Sequence, residues 1–96
     1  MSYMFSYNLS MNEVQWTPKA IRQLRKIKDR NAQTRIREAT RRLAHFPDVP
    51  DVKALAHHVC GYRLRVGRYR VLFNYFGDGV NIVRIEEVKK RDERTY

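Results

Sequence analysis

The feature that most constrains this chain is a strict alternation of apolar and polar residues in its last third. In the segment Tyr62–Val66, with the sequence YRLRV, every second residue is apolar, and the residues between them are Arg63 and Arg65. A period of two predicts a β-strand that buries one row of side chains and presents the other. Two guanidinium groups held side by side on a strand would form a multi-donor receptor for phosphate. The alternative for these arginines is an ordinary exposed strand face.

Similar alternation elsewhere in the chain predicts the other strands of a sheet. The predicted strands are Asn12–Trp16, 61–66, 69–76 and 80–87. Turn residues separate the last three strands, at Gly67-Arg68 and at Gly77-Asp78-Gly79. Residues Val52–Val59 have no clear pattern, and we predict a loop there, with a short strand as the alternative.

Two amphipathic helices are predicted between the first and second strands. Thr17 and Pro18 are a favoured cap and a favoured first residue for one helix, and Asn31 is the predicted cap of the other. The apolar residues recur with a helical period, at Ala20, Ile21, Leu24 and Ile27 and then at Ala32, Ile36, Ala39 and Leu43. The short break between the helices predicts an antiparallel hairpin. The order of elements predicts an α+β fold, with this hairpin packed on a twisted, mainly antiparallel four-stranded sheet.

The chain is strongly basic and has the composition of a folded domain. It contains 20 Lys and Arg residues against 10 Asp and Glu residues, which gives a net charge of +10. A field of this sign attracts polyanions, so nucleic acid, the ribosome or an acidic protein is the expected partner. A hydrophobic content of 43%, with 11% aromatic residues, argues against a disordered basic tail.

The cysteine and histidine content gives no sign of a cofactor. Cys60 is the only cysteine, so no internal disulfide can form, and no Cys/His spacing indicates zinc. A free thiol fits a reducing cytoplasm, and the sequence has neither a signal-peptide pattern nor an apolar run of membrane length. We therefore expect a cytoplasmic protein with no cofactor, no metal and no membrane partner. Catalysis by Cys60 as a nucleophile, or by His57 and His58 as acid–base groups, is the weaker alternative.

Three segments of the sequence occur in a characteristic order. They are VQWTPKAIRQLRKI near the N-terminus, GYRLRVGRYRVLF in the predicted strands, and the closing VKKRDERTY. Together they resemble the RelE/ParE superfamily of bacterial type II toxins. The resemblance runs from Met11 to Tyr96, so it implies a single RelE-like toxin domain over residues 11–96. It also implies a cognate antitoxin protein as a partner. Methionines stand at positions 1, 4 and 11 and the patterned sequence begins at Met11, so we predict a flexible extension over residues 1–10, with a choice of translation start as the alternative.

The superfamily carries two activities on one fold. RelE-like members cut mRNA in the decoding site of the ribosome without a metal ion, and ParE-like members inhibit DNA gyrase by binding it. Metal-free RNA cleavage uses the ribose 2′-hydroxyl as a nucleophile and needs cations around the phosphorane. Because the arginine pattern suits this task, we predict a ribosome-dependent mRNA endoribonuclease that inhibits translation. A gyrase inhibitor and a nucleic-acid-binding module without catalysis are the alternatives.

The resemblance also implies roles for individual residues. Arg63 and Arg65 occupy the positions of paired lysines in RelE, one of which is proposed there as the general base. Arginine suits phosphate binding at these positions but releases a proton poorly. Arg70 matches an arginine that stabilises the transition state, Arg91 matches the proposed general acid, and Tyr96 matches a terminal aromatic residue that stacks on an mRNA base.

Further basic residues are predicted to bind RNA, and some of the assigned roles have structural alternatives. The predicted RNA-binding residues are Lys19, Arg22, Arg25, Lys26, Arg41, Lys90 and Arg94. An ordinary cross-strand ion pair with Glu86 or Glu87 is the alternative for Arg70. A solvated, charged C-terminal tail is the alternative for Arg91 and Arg94.

Overall fold

The computed structural model describes residues 11–91, which fold into two α-helices and a five-stranded sheet. The elements follow one another in the order β1 (Glu13–Trp16), α1 (Pro18–Arg25), α2 (Arg30–Arg41), a 3₁₀ helix (Arg42–His45), β2 (Val52–Ala54), β3 (Tyr62–Val66), β4 (Tyr69–Phe76) and β5 (Ile82–Lys90). The predicted α+β class is confirmed. The predicted extension over residues 1–10 lies outside the described residues, and so do Arg94 and Tyr96.

The sheet has the strand order β1-β5-β4-β3-β2. β1 runs parallel to β5, and the other neighbouring strands are antiparallel. The prediction of four strands was one short, because Val52–Ala54 pairs with β3 and adds a fifth strand at the edge. Three residues are too few to show a period, so this strand depends on its pairing partner more than on its own sequence. The last strand also extends beyond the predicted 80–87, since β5 continues to Lys90.

Side-chain caps determine where both helices begin. The hydroxyl of Thr17 accepts a hydrogen bond from the N–H of Ala20 at 3.1 Å, which confirms the predicted cap of α1. The cap of α2 is Asp29, whose carboxylate accepts hydrogen bonds from the N–H groups of Asn31 and Ala32 at 2.9 and 3.2 Å. The prediction of Asn31 as the cap was therefore wrong, because an aspartate two residues earlier already satisfies the free N–H groups of the first turn.

Replacing Asp29 with alanine should lower the free energy of unfolding by about 0.5–2 kcal/mol, the usual effect of losing an N-cap side chain. Asn31→Ala is the matched control, because Asn31 is exposed and contributes its backbone N–H to the cap. We expect that control to change stability by less than about 0.5 kcal/mol. Urea unfolding followed by circular dichroism measures both values, and equal destabilisation would contradict Asp29 as the cap.

The hydrophobic core lies between the helices and one face of the sheet. Its buried members are Ala20, Leu24, Ile36, Leu43, Phe46, Leu64, Val71, Phe73, Val83, Ile85 and Val88. The ring of Phe73 meets that of Phe46 edge-on at a centroid distance of 5.3 Å and stacks on Tyr62 at 5.4 Å. This aromatic cluster ties the loop after the 3₁₀ helix to β3 and β4.

In β3 and β4, the side chains that alternate with the core residues lie on the opposite face of the sheet, which we call the open face. Leu64 pairs with Val71, Val71 pairs with Val88, and all three are buried in the core. Successive residues of a strand point to opposite faces. Arg65 and Arg70, which pair with each other, therefore lie on the open face, away from the helices.

Candidate phosphate-binding site

Among residues 11–91, six line a small pocket at the end of the open face where β3 turns into β4. Its volume is about 60 Å³, and its lining residues are Arg63, Arg65, Gly67, Arg68, Arg70 and Arg91. A single ordered water needs less space than this. We call it the arginine pocket. It brings together four of the predicted catalytic residues, and the fifth, Tyr96, lies outside the described residues.

The β3–β4 turn and the end of β5 hold these side chains together. Arg65 and Arg70 are direct cross-strand partners. Gly67 has a φ of 56°, as the first residue of a two-residue type II′ hairpin turn requires. The N–H of Arg91 donates a 2.7 Å hydrogen bond to the carbonyl of Arg68. This bond fixes the backbone of Arg91 beside the turn, so that a residue distant in sequence lines the same pocket.

The arginine pocket concentrates positive charge, and none of its lining residues within 11–91 is a carboxylate. Arg65 and Arg70 face each other as like charges, an arrangement that destabilises a strand pair. Within residues 11–91, no salt bridge involves Arg65, Arg68 or Arg70. The Nε of Arg70 is buried and has no hydrogen-bond partner in that range, which carries a desolvation penalty. A bound phosphate would supply both an acceptor and a compensating charge.

The alternative ion pair between Arg70 and Glu86 does not form, because other side chains occupy this carboxylate. Glu86 accepts hydrogen bonds from the Nε of Arg84 at 2.7 Å and from the Nδ2 of Asn74 at 3.2 Å. Burial alone would raise the pKa of Glu86, but the hydrogen bonds from Arg84 and Asn74 outweigh it and hold the pKa below its ordinary value. Glu86 therefore balances the charge of Arg84 and not that of the arginine pocket.

Glu87, the other alternative partner of Arg70, is engaged by two lysines. Its carboxylate lies 3.4 Å from the ammonium of Lys19 and 3.8 Å from that of Lys89. Exposed pairs of this kind contribute little to stability, but they offset charge locally. Lys19, one of the predicted RNA-binding residues, thus has a carboxylate beside it, whereas Arg70 has neither Glu86 nor Glu87.

Arg68 is a pocket residue to which the sequence patterns assign no role. The sequence predicts a turn at Gly67-Arg68, and the turn forms there. A usable signal was nevertheless present. In a tight hairpin the residues before and after the turn pair with each other, so a basic turn residue lies beside Arg65 and Arg70.

The basic residues predicted on the helices lie outside the arginine pocket. Arg22, Arg25, Lys26 and Arg41 are exposed, but the helices cover the opposite face of the sheet. Arg25 and Arg41 line a separate groove of about 440 Å³ between the helices and β1, where Trp16 contributes apolar surface. The structure therefore divides the predicted basic residues between two sides of the molecule.

Lys90 also lies on the helix side, although it precedes Arg91 in the sequence. It is two residues beyond Val88, which is buried in the core, and alternate strand residues share a face. Lys90 lines a groove together with Lys26, whereas Arg91 lines the arginine pocket.

The loop that follows β2 contains the cysteine and two histidines, and it is anchored on the open face. The N–H of Gly61 donates a 2.7 Å hydrogen bond to the Oδ1 of Asn74. The N–H of Cys60 donates a hydrogen bond to the Nδ1 of His58 at 2.9 Å, so this ring nitrogen is the acceptor of a bond within the loop. Neither His57 nor His58 lines the arginine pocket.

Cys60 should behave as a buried thiol and not as a nucleophile. Burial raises the pKa of its thiol, and the negative charges of Glu86 and Glu87 add to the effect. A raised pKa leaves less thiolate at neutral pH, and the thiolate is the reactive form. We expect iodoacetamide at mildly alkaline pH to alkylate the folded protein much more slowly than the same protein in guanidinium chloride. Equal rates in the two conditions would contradict a buried, protonated thiol.

Residues 11–91 contain neither a cluster of metal ligands nor a helix that could span a membrane. Among residues 11–91, no group of three His, Cys, Asp or Glu side chains is arranged to hold a metal ion. The helices in the same range fall short of the length and apolarity that a membrane span needs.

Comparison with known proteins identifies the family. A family model described as the ParE toxin of the type II toxin–antitoxin system parDE matches residues 14–94, most of the chain. No curated protein matches the sequence. Among solved structures, the toxin–antitoxin complex RelBE2 from Mycobacterium tuberculosis is 26% identical with a TM-score of 0.71, over 84% of this chain and 99% of that chain.

Two further solved structures share the fold at lower identity. The YoeB/ParE toxin from Agrobacterium tumefaciens is 14% identical with a TM-score of 0.68, over 83% of this chain and 99% of that chain. The archaeal RelE–RelB complex from Pyrococcus horikoshii OT3 is 22% identical with a TM-score of 0.67, over 86% of this chain and 98% of that chain. The resemblance inferred from the sequence is confirmed, and the chain belongs to the ParE toxin family of type II toxin–antitoxin systems, within the RelE/ParE superfamily.

Proposed function

We propose that this toxin is a ribosome-dependent endoribonuclease that cleaves translated mRNA and thereby inhibits translation. The observation that carries the proposal is the arginine pocket, which gathers Arg63, Arg65, Arg70 and Arg91 around one small space. Guanidinium donors fixed in this way stabilise the additional negative charge of a phosphorane. A cluster of like charges opposes stability, and such clusters are typically maintained where function requires them.

The proposed reaction is a transesterification. The 2′-oxygen of a ribose attacks the adjacent phosphorus, the bond from phosphorus to the 5′-oxygen breaks, and the products are a 2′,3′-cyclic phosphate and a 5′-hydroxyl. Arg65 and Arg70, which face each other, bind the non-bridging phosphate oxygens. Arg91, which the family resemblance matches to the proposed general acid, donates a hydrogen bond that stabilises the leaving 5′-oxygen. That oxygen takes its proton from water, because a guanidinium releases a proton poorly. A charged guanidinium has no lone pair to accept a proton, so water also takes the proton of the 2′-hydroxyl.

Inhibition of DNA gyrase by binding is the second candidate function. The family model that matches the chain describes a ParE toxin, and Arg63 and Arg65 replace the lysines that RelE has at these positions. Arginines in place of lysines remove the group proposed as the general base in RelE. Both observations are compatible with a toxin that binds a protein target.

One experiment separates the two functions. Purified protein is added to a translating extract, the message is mapped by primer extension, and a gyrase supercoiling assay is run beside it. Cut messages with unchanged supercoiling would support the nuclease. Blocked supercoiling with intact messages would refute it and support the gyrase inhibitor.

A cognate antitoxin is the proposed protein partner. Two of the similar solved structures, RelBE2 and RelE–RelB, are toxin–antitoxin complexes, and the net charge of +10 favours an acidic partner. Because electrostatic steering raises association rates by about 10- to 1,000-fold, we expect the association rate to fall by at least about tenfold from low to high salt. Stopped-flow mixing measures this rate, and a rate independent of salt would contradict docking on the basic surface.

A further inference from the structure

A second basic groove lies at the same end of the sheet as the arginine pocket, but on the helix side. Its volume is about 540 Å³. Lys26 and Lys28 line it from the connection between α1 and α2, and Tyr69 and Lys90 line it from the start of β4 and the end of β5. We call this site the lysine groove.

The lysine groove and the arginine pocket are lined by adjacent residues of the same two strands, on opposite faces of the sheet. Tyr69 and Arg70 are consecutive in β4, and Lys90 and Arg91 are consecutive at the end of β5. Consecutive strand residues point to opposite faces, so each strand supplies one residue to the groove and the next to the pocket. Tyr69 and Lys90 are also cross-strand partners. A single strand that passed around the end of the sheet would therefore run from the arginine pocket into the lysine groove.

The charges of the lysine groove are available to a ligand. Lys26, Lys28 and Lys90 are exposed, and within residues 11–91 none of them forms a salt bridge. Asp29 also lines the groove, but its carboxylate already accepts two backbone hydrogen bonds as the cap of α2. Three ammonium groups in one groove can therefore bind successive phosphates of a polyanion.

The apolar part of the lysine groove suits a nucleobase. Tyr69 is half-buried and packs against the hydrophobic core, so its ring has a fixed support. Ile27 and Val88 line the groove beside it. A basic groove that follows the backbone, combined with an aromatic ring on which a base stacks, is the common design of sites for single-stranded nucleic acid.

We propose that the lysine groove is a second binding site for single-stranded RNA, and that it takes the strand that leaves the arginine pocket. Lysines bind the phosphates and Tyr69 stacks on a base. The inference rests on the proposed function, because it places RNA in the arginine pocket. Continuity with that pocket and the supported aromatic ring favour RNA over an acidic peptide. Lys26 and Lys90, predicted from the sequence as separate RNA-binding residues, thus belong to one site with Lys28.

Binding of RNA that cannot be cleaved tests the proposal without relying on catalysis. Fluorescence anisotropy measures the affinity of the full chain for a 2′-O-methyl trinucleotide, which fills one site, and for a 2′-O-methyl dodecamer, which is long enough for both. Lys26→Gln/Lys28→Gln removes two charges from the lysine groove. Arg35→Gln/Arg42→Gln is the matched control, because both arginines are exposed and line neither the two grooves nor the arginine pocket.

We expect the double lysine variant to bind the dodecamer more weakly and with a smaller salt dependence. Two lost phosphate contacts reduce the slope of log affinity against log salt by about 1.4 for a single strand. Tyr69→Leu should weaken dodecamer binding by about 5- to 150-fold, the effect of losing one base stack, and Tyr69→Phe should retain it. All of these variants should still bind the trinucleotide, because the arginine pocket is unchanged, and they should weaken its binding less than that of the dodecamer. The control pair should leave the dodecamer slope unchanged.

Three outcomes would overturn the proposal. One is an equal loss of dodecamer affinity in the double lysine variant and in the control pair, which would show that the overall charge and not the lysine groove determines binding. Another is wild-type dodecamer binding by Tyr69→Leu once circular dichroism shows it folded. The third is competition by a poly-glutamate peptide as effective as competition by RNA, which would identify a docking site for an acidic protein. Messages left intact on the ribosome, together with groove-dependent dodecamer binding, would refute the nuclease function and support the groove.

Discussion

Replacing Arg70 with alanine is expected to slow mRNA cleavage by about 100- to 1,000-fold, the usual effect of removing one donor that stabilises a developing charge. The Nε of Arg70 is buried and has no partner within residues 11–91, so this donor is available to a phosphate oxygen. Arg70→Lys retains the charge but loses the planar fork of donors, and it should recover only part of the rate. Single-turnover cleavage on preassembled ribosome–message complexes gives these rates.

The Arg70→Ala substitution should leave the free energy of unfolding unchanged or raise it. The aliphatic stem of Arg70 loses its packing, but the repulsion from Arg65, its cross-strand partner, is relieved. Arg84→Ala is the matched control, because Arg84 lies on the same open face, pairs with Glu86 at 2.7 Å and lines no part of the arginine pocket. Full cleavage by Arg70→Ala, or an equal loss in Arg84→Ala, would contradict the assigned role.

We expect Phe73→Ala to lower the free energy of unfolding by about 3–5 kcal/mol, the range for removing a phenyl ring from a packed core. Phe73 is fully buried, and its ring contacts those of Phe46 and Tyr62 at centroid distances of 5.3 and 5.4 Å. The cavity left by the missing ring would remove the contact of β4 with Phe46, in the loop after the 3₁₀ helix. A loss of this size is a large fraction of the stability of a small domain.

Phe76→Ala is the matched control for Phe73→Ala, because it removes the same atoms from a ring that is 42% exposed. The guanidinium of Arg84 lies 4.7 Å from the centroid of this ring, and losing such an exposed contact costs about 0.5–1 kcal/mol. Guanidinium unfolding of both variants, followed by circular dichroism, gives the difference. Equal losses would contradict the central place of Phe73 in the core.

The arginine face could be predicted from the sequence because the period of a strand is a local property. Arg63 and Arg65 flank Leu64, which is 3% exposed, and the alternation alone places them on the other face. Gly67 marks a two-residue turn, and the length of a hairpin turn sets the register of its strands. The pairing of Arg65 with Arg70 therefore follows from residues that are close in sequence.

The parts that could not be predicted depend on contacts between distant residues. Val52–Ala54 is a strand because the edge of β3 is available for pairing. Arg91 enters the arginine pocket because its N–H binds the carbonyl of Arg68. Lys90 is its neighbour in the sequence, yet it lies on the helix side because β5 continues to this residue. Lys89 and Lys90 at the end of β5 are both charged and show no alternation of apolar and polar residues. The sequence pattern therefore predicted an end of the strand that was too early.

The most direct test of the central claim uses a message whose cleavage position has been mapped with the wild-type toxin. At that nucleotide the 2′-hydroxyl is replaced by hydrogen, and both messages are placed in preassembled ribosome complexes. We expect the unmodified message to be cut with a 5′-hydroxyl end, and the cut to disappear in the 2′-deoxy message, because the nucleophile is gone. A cut that persists at the 2′-deoxy nucleotide would contradict the transesterification, and an unmodified message that stays whole on the ribosome would contradict the nuclease itself.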